Sequence, residues 1–317
     1  LALSGSAEST LNGFLRAQKL DIKNCYRSVF IKEKLDYSGT NTKRLREALQ
    51  KIDYEGYLDL LFQEIKDLNP NIIVPLDDIS LAAVFPHINS IHKPKGRKYW
   101  INCYRGSILP LRIDWCEKIG RQIKVIPTLS PYFLEWDWSA RSYVSLDYAR
   151  IKEYSISTQP IEEFGLTWAC KFASEFELFL RRQYAKNPKR VSFDIETYGG
   201  MLTCISFCFD GFESCTVPLL DYDIPPSERV LLWRLVGRVL ADENIEKNNQ
   251  NIKYDWIILE RFGFRINNVR SDTMLKGGLL YPELPKGLDF YTSIYTQIPY
   301  YKDEGKEFNP KLHSRDR

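Results

Sequence analysis

Asp194 and Glu196 are the residues whose type and spacing most directly suggest chemistry. They stand in Val191-Ser-Phe-Asp-Ile-Glu-Thr-Tyr-Gly-Gly200, where Val191, Phe193 and Ile195 alternate with Ser192, Asp194 and Glu196. Side chains on a strand repeat with period 2, so the two carboxylates share one face. Side by side they repel, and a divalent metal between them is the common compensation. A solvated polar face on an edge strand is the competing reading of a bare Asp-x-Glu.

The elements around the pair decide between the two. Residues 190–197, 202–210 and 213–220 read as three short strands joined at Gly199-Gly200 and Asp210-Gly211, an antiparallel meander. Pro225-Pro-Ser227 opens a helix, with Ser227 as its cap. Residues 244–249 give a fourth strand, and 253–262 a helix ended at Gly263. Asp272 caps a helix that runs to Leu280, and 286–296 form another. Three antiparallel strands, a helix and a strand added on the other side make the ribonuclease H-like pattern. Strand ends in such α/β sheets converge on one ligand site. Asp255, just past the fourth strand, then approaches the Asp194–Glu196 face, and three carboxylates on separate elements suit Mg2+ or Mn2+.

These motifs, Asp194-Ile-Glu196-Thr197 and Asn251-Ile-Lys-Tyr254-Asp255, resemble the proofreading 3′–5′ exonuclease domain of family A DNA polymerases. The downstream runs Asp272-Thr-Met-Leu, Leu280-Tyr-Pro-Glu-Leu-Pro-Lys-Gly-Leu288 and Tyr300-Tyr-Lys-Asp-Glu-Gly305 look like phage- or plasmid-type members. The resemblance covers about 190 to 310. It implies two-metal hydrolysis at a single-stranded DNA 3′ end, with Asp194, Glu196 and Asp255 catalytic and metal-binding. It further implies that Thr197, Met201, Leu202, Asn251 and Tyr254 contact substrate, with Met201 or Leu202 wedged between bases. The family's third motif, a Tyr followed four residues later by an Asp, is not reached before Arg317. Tyr300 with Glu304 has the spacing but not the residue, and His313 and Asp316 stand too close together for the histidine variant. The expectation is a fragment truncated at both ends, whose partners are DNA and a polymerase domain of the same full-length chain, in the cytoplasm of a bacterial or phage-infected cell.

The first half also alternates strands and helices and reads as α/β with a largely parallel sheet. Helices are expected over 10–20, 41–66 and 79–84, and strands over 24–31, 71–76, 99–103 and 124–126. Asn69-Pro70 stops the long helix, which Gly56 interrupts. The run of Ile-Ile-Val-Pro-Leu76, Arg105-Gly106 and Val125-Ile-Pro-Thr-Leu-Ser-Pro131 resembles the uracil-DNA glycosylase-like fold, closest to the families with an iron–sulfur cluster. Their Gly-rich water-activating segment and cluster cysteines have no counterpart, and Ser130-Pro131 replaces their His-Pro. A catalytically silent relative is expected, against the alternative of an unrelated α/β domain. The expected organisation is 1–154 for this domain, 155–189 for a linker and helix, and 190–317 for the exonuclease domain. The helix over 161–186 carries an aromatic stripe of Phe164, Trp168, Phe172, Phe176 and Phe179.

Composition sets outer bounds. The chain has 317 residues, 44% hydrophobic and 27% charged, which fits two globular domains. A net charge of +3 neither demands nor excludes nucleic acid. Seven cysteines without a tight Cys-x-x-Cys pair argue against a disulfide framework or zinc cage. No apolar run reaches membrane-spanning length, so no membrane partner is expected. Lys93, Lys95, Arg97 and Lys98 before Tyr99-Trp100 could grip a phosphate backbone or form a solvated loop. Arg181, Arg182, Lys186, Lys189 and Arg190, just before the carboxylate strand, could meet a phosphate or simply suit a helix C-terminus. His87 and His92 read as surface or loop residues. Alternatives to the exonuclease are a non-catalytic DNA-binding scaffold, a uracil-recognition module in the first domain, and a ribonuclease D-like RNA exonuclease.

Overall fold

The computed structural model describes residues 4–33, 52–87, 100–159, 165–221 and 223–301. The chain divides into two compact units. One is Leu1–Glu162 with Asp289–Arg317, the other Glu163–Leu288. The sequence placed 190–317 in one domain; the structure groups Asp289–Arg317 with the first unit instead.

In the first unit, α1 (Gly5–Ala17), α2 (Tyr54–Leu68), α3 (Asp78–Val84), α4 (Ile101–Tyr104), α5 (Ile113–Ile119), α6 (Pro131–Trp136) and α7 (Arg141–Ser155) surround a small sheet. Its strands are β1 (Ile72–Ile73), β2 (Leu109–Pro110) and β3 (Lys124–Val125). β3 lies between the others, parallel to β1 and antiparallel to β2, so the sheet is mixed rather than largely parallel. The Asp53 carboxylate accepts from Gly56 N at 3.0 Å, so Gly56 belongs to the first turn of α2 instead of interrupting a helix. Asn69 ends that helix in the left-handed region at φ 44°.

Two expected strands of this unit are not strands. After a 3-10 turn at Ile22–Asn24 the chain to Ile31 pairs with no sheet. Tyr99 lies outside the described residues, and Ile101–Tyr104 is one helical turn. The Asp78 carboxylate accepts from Ile101 N at 2.8 Å, closing the turn's amino end, and helical spacing buries both Ile101 and Tyr104. The start of the expected 41–66 helix also lies outside the described residues.

The second unit is built on one six-stranded sheet. Its strands are β4 (Thr167–Ala169), β5 (Arg190–Tyr198), β6 (Met201–Cys208), β7 (Ser214–Pro218), β8 (Glu246–Asn249) and β9 (Val269–Asp272), in the order β4-β7-β6-β5-β8-β9. β5, β6 and β7 form the expected antiparallel meander. β8 then adds parallel to β5, and β9 parallel to β8. This is the mixed α/β sheet of the ribonuclease H-like pattern. Gly199 and Gly200, at φ 59° and 81°, make the turn between β5 and β6, where two consecutive positive φ angles match the strand twist.

Helices α8 (Ala173–Ala185), α9 (Pro226–Ala241), α10 (Ile252–Arg261) and α11 (Thr273–Leu280) accompany the sheet, while α12 (Leu288–Tyr295) belongs, from Asp289 on, to the first unit. Val191, Phe193 and Ile195 point into the core, where Phe176 stacks on Phe207 at 5.9 Å and Trp233 on Phe264 at 4.8 Å. Each buried aromatic of this kind contributes about 1.5–3 kcal/mol. That core fixes which face of β5 carries Asp194 and Glu196. Three details differ from the sequence reading. Trp168 lies on strand β4, so the helix begins only at Ala173 and the aromatic stripe is split; Phe164 lies outside the described residues. Pro225, not Ser227, is the N-cap of α9, with Pro226 at its first position. β9 was not foreseen. Among the described residues no helix is long and apolar enough to cross a membrane.

Candidate active site

Asp194 and Glu196 lie opposite Ser206 and Cys204 across the β5–β6 ladder. The register shifts between Glu196 and Thr197, an irregularity that bends the strand just past the pair. Asp255 sits in the first turn of α10, directly after the end of β8, and is 4% exposed. Its carboxyl is pushed up to about 7, first by burial and then by the charge of Asp194, with a smaller contribution from Glu196. Burial and then Glu196 likewise raise Asp194. The buried Asp255 on α10 therefore feels the charges of Asp194 and Glu196, which stand on the exposed face of β5. Among the described residues no lysine or arginine forms a salt bridge with any of the three.

Asn249, at the end of β8, was not singled out by the sequence. It is buried, and its Nδ2 donates to Asp255 Oδ2 at 2.7 Å, which works against the upward shift. The next amide, Gln250 N, donates to Asn249 Oδ1 and so sets which way the Asn249 amide faces. The only sequence signal for this role is an Asn at a strand end, six residues before the carboxylate it orients.

Hard oxygen donors and an uncompensated negative charge suit Mg2+ or Mn2+ in chemistry. The coupling of the three carboxylates does not extend to close grouping: among the described residues no three His, Cys, Asp or Glu side chains gather in an arrangement able to hold a metal ion.

No protein-family model and no curated protein matches the chain. Solved structures with partial likeness include Trypanosoma brucei RNase D in complex with RNA U12, at 12% identity and TM-score 0.30, over 38% of this chain and 41% of that one. Others are the EXD2 exonuclease domain soaked in Mg and dGMP, at 16%, 0.29, 41% and 69%, and Escherichia coli RNase D, at 15%, 0.34, 45% and 36%. The chain thus spans less than half the length of either RNase D. Scores this low are no basis for a functional reading, which rests on the site itself.

The expected substrate residues separate into two groups. Thr197 Oγ1 lies 3.4 Å from Tyr254 Oη, and Tyr254 is half exposed on α10. Met201 is also half exposed, at the β5–β6 turn. Leu202 is 1% exposed and packs in the core, so it cannot wedge between bases. Asn251 takes the left-handed conformation at φ 58° as N-cap of α10, and its side chain makes no cap hydrogen bond. It shapes the turn through its backbone.

The expected basic contacts are mostly committed elsewhere. Arg182 pairs with Glu213 at 2.7 Å, Lys186 with Asp210 at 2.8 Å, and Arg181 approaches Glu177 at 3.7 Å. Residues 93–99, His92, Glu304, His313 and Asp316 lie outside the described residues. Trp100 is buried, and Tyr300 packs edge-on against Tyr104 in the core of the first unit. In that unit Arg105 is locked to Asp147, with Nε donating at 2.9 Å, and Ser130 Oγ accepts from Tyr132 N to cap α6. Both positions of the glycosylase-like resemblance are thus occupied with structural bonds.

Proposed function

We propose that the second unit is a metal-dependent 3′–5′ exonuclease acting on single-stranded DNA 3′ ends, with Asp194, Glu196 and Asp255 holding Mg2+ or Mn2+. The observation that carries this is the carboxyl of Asp255, raised to about 7 by burial and by Asp194 on the central strand. Stability alone gives no reason to bury Asp255 beside the exposed Asp194 and Glu196 charges; a cation-dependent reaction does. A bound divalent cation supplies Lewis-acid stabilisation of the phosphoryl charge and a water of lowered pKa. The chain's own residues supply the rest. Asp194 and Glu196 present oxygens from a rigid central strand. Asn249 holds Asp255 towards them. Met201 and Tyr254, exposed at the rim, contact the terminal nucleotide.

A proofreading role beside a polymerase domain of a longer chain fits this activity, and the first unit is then a silent glycosylase-like companion. The test is release of nucleotides from the 3′ end of a labelled single strand with Mn2+ and with EDTA. Release that needs the metal and disappears in Asp194→Ala supports the reading, and activity that survives Asp194→Ala overturns it. The looser grouping of the three carboxylates favours one rival, a DNA-binding scaffold, for which the same assay gives binding without cleavage. An RNA strand degraded in preference to DNA would move the substrate class.

A further inference from the structure

The second unit contains a carboxylate whose bonds join two helices. Asp272 ends β9, where it pairs with Asn249 at the end of β8. Its Oδ1 accepts from Met274 N at 2.8 Å and Leu275 N at 3.3 Å, the cap that opens α11. The same Oδ1 accepts from Asn251 N at 3.1 Å, and Oδ2 accepts from Ile252 N at 3.0 Å. Those two amides open α10. The first amides of any helix lack intrahelical partners, and here one buried carboxylate closes two sets of them at once. Two helix amino ends also favour the negative charge. Around this bridge, Thr273 Oγ1 donates to Gln250 Oε1, and Gln250 Nε2 donates to Lys286 O at 2.8 Å.

Asp255 stands one turn beyond Asn251, so the direction of α10's first turn sets where its carboxylate points. We propose that Asp272 is a positioning residue for the site: by clamping Asn251 and Ile252 it fixes that first turn and holds Asp255 on Asn249, towards Asp194 and Glu196. It touches neither metal nor substrate. The consequence for cleavage rests on the exonuclease reading; the consequence for Asp255 does not.

Asp272→Asn separates the clamp from the cap. Asn caps a helix about as well as Asp. In the variant the side-chain oxygen still serves Met274 and Leu275, but the NH2 group meets the Ile252 N–H, donor against donor. A residue that only caps α11 would tolerate the change. The measurement is amide hydrogen exchange by NMR in EDTA, on wild type and variant, with cleavage of a labelled single strand over a Mn2+ series. The expected result is exchange on the order of tenfold faster at Ile252 N, since a charged acceptor is lost, with Met274 N unchanged. The Asn249 side-chain amide, which donates to Asp255, also loses protection. The Mn2+ concentration for half-maximal cleavage rises on the order of tenfold, with activity regained at saturating Mn2+. Unchanged exchange at Ile252 overturns the clamp. Faster exchange at Ile252 with an undisturbed Asn249 amide, or with an unchanged Mn2+ requirement, overturns the positioning role. A wild type that cleaves nothing removes the exonuclease reading, and the two exchange readouts still decide the placement of Asp255.

Discussion

Asp255→Asn should stabilise the second unit at alkaline pH while destroying its chemistry. The native carboxyl is pushed up to about 7, well above the usual carboxylate range, because burial and Asp194 oppose its ionisation. Between about pH 4 and 7 the native state therefore holds a proton that the unfolded chain has released. Stability falls as pH rises through that window, by about 1.4 kcal/mol per unit. The whole interval amounts to about 4 kcal/mol; because Asp194 is raised as well and the two share their protons, about 2–4 kcal/mol is the expected range. Asparagine removes the charge at every pH and can still accept the bond from Asn249. Urea denaturation in EDTA, followed by the fluorescence of Trp233 and Trp256, should find variant and wild type about equally stable near pH 4. By pH 8 the variant should be ahead by about 2–4 kcal/mol. Taking the difference between the two proteins cancels the groups that titrate in both. A difference that does not change with pH, or a variant weaker at pH 8, would refute the claim that Asp255 is buried among uncompensated charge.

Four further outcomes follow from burial, bonding and backbone geometry. Leu202→Ala should lower the stability of the second unit by about 2–5 kcal/mol through a core cavity. Met201→Ala, half exposed, should change stability by no more than about 0.5 kcal/mol and instead raise KM for DNA, which denaturation and steady-state kinetics would separate. Asp147→Ala leaves Arg105 buried without its partner and should cost the first unit about 3–5 kcal/mol, read as an earlier transition by circular dichroism. Gly200→Ala meets open space but forces a side chain to φ 81°, for a loss of about 1 kcal/mol by urea denaturation.

The strand and the helix that carry Asp194, Glu196 and Asp255 were legible because their signals are local. β5 alternates strictly from Arg190 to Glu196, so its exposed face follows from period alone. Asp272 as a helix cap was legible for the same reason. What was hidden depends on partners distant in sequence. β4 is three residues long and owes its existence to β7, while its Trp168 lies in phase with helical aromatics that follow. β9 reads Val-Arg-Ser-Asp, with no apolar alternation, and is a strand because β8 offers it hydrogen bonds. The run before Tyr104 is too short for period to distinguish strand from helix, and Asp78 decides it. Leu202 was assigned to the ligand because position in a motif says nothing about which way the β5–β6 turn sends each side chain.

The functional reading gains its force from how this chain treats its other buried or half-buried acids. Burial works against ionisation of Asp210, yet Lys186 and the amides of Phe212 and Glu213 outweigh it and hold the carboxyl at about 2. Asp272 is surrounded by four backbone amides. Asp147 has Arg105 and Thr128. In each case the fold provides donors for the charge it removes from water, as the cost of burying an unpaired ion requires. Around Asp194 and Asp255 it provides the Asn249 side-chain amide, the backbone amides of Ile195 and Asp255, and one another's repulsion. The sequence elsewhere shows that it can supply a lysine or an amide cradle where neutralisation is wanted. Among the described residues neither carboxylate has a lysine or arginine partner, so the central strand and the helix beside it keep their negative charge. A divalent cation arriving from solution would find there the charge that the fold has left uncompensated.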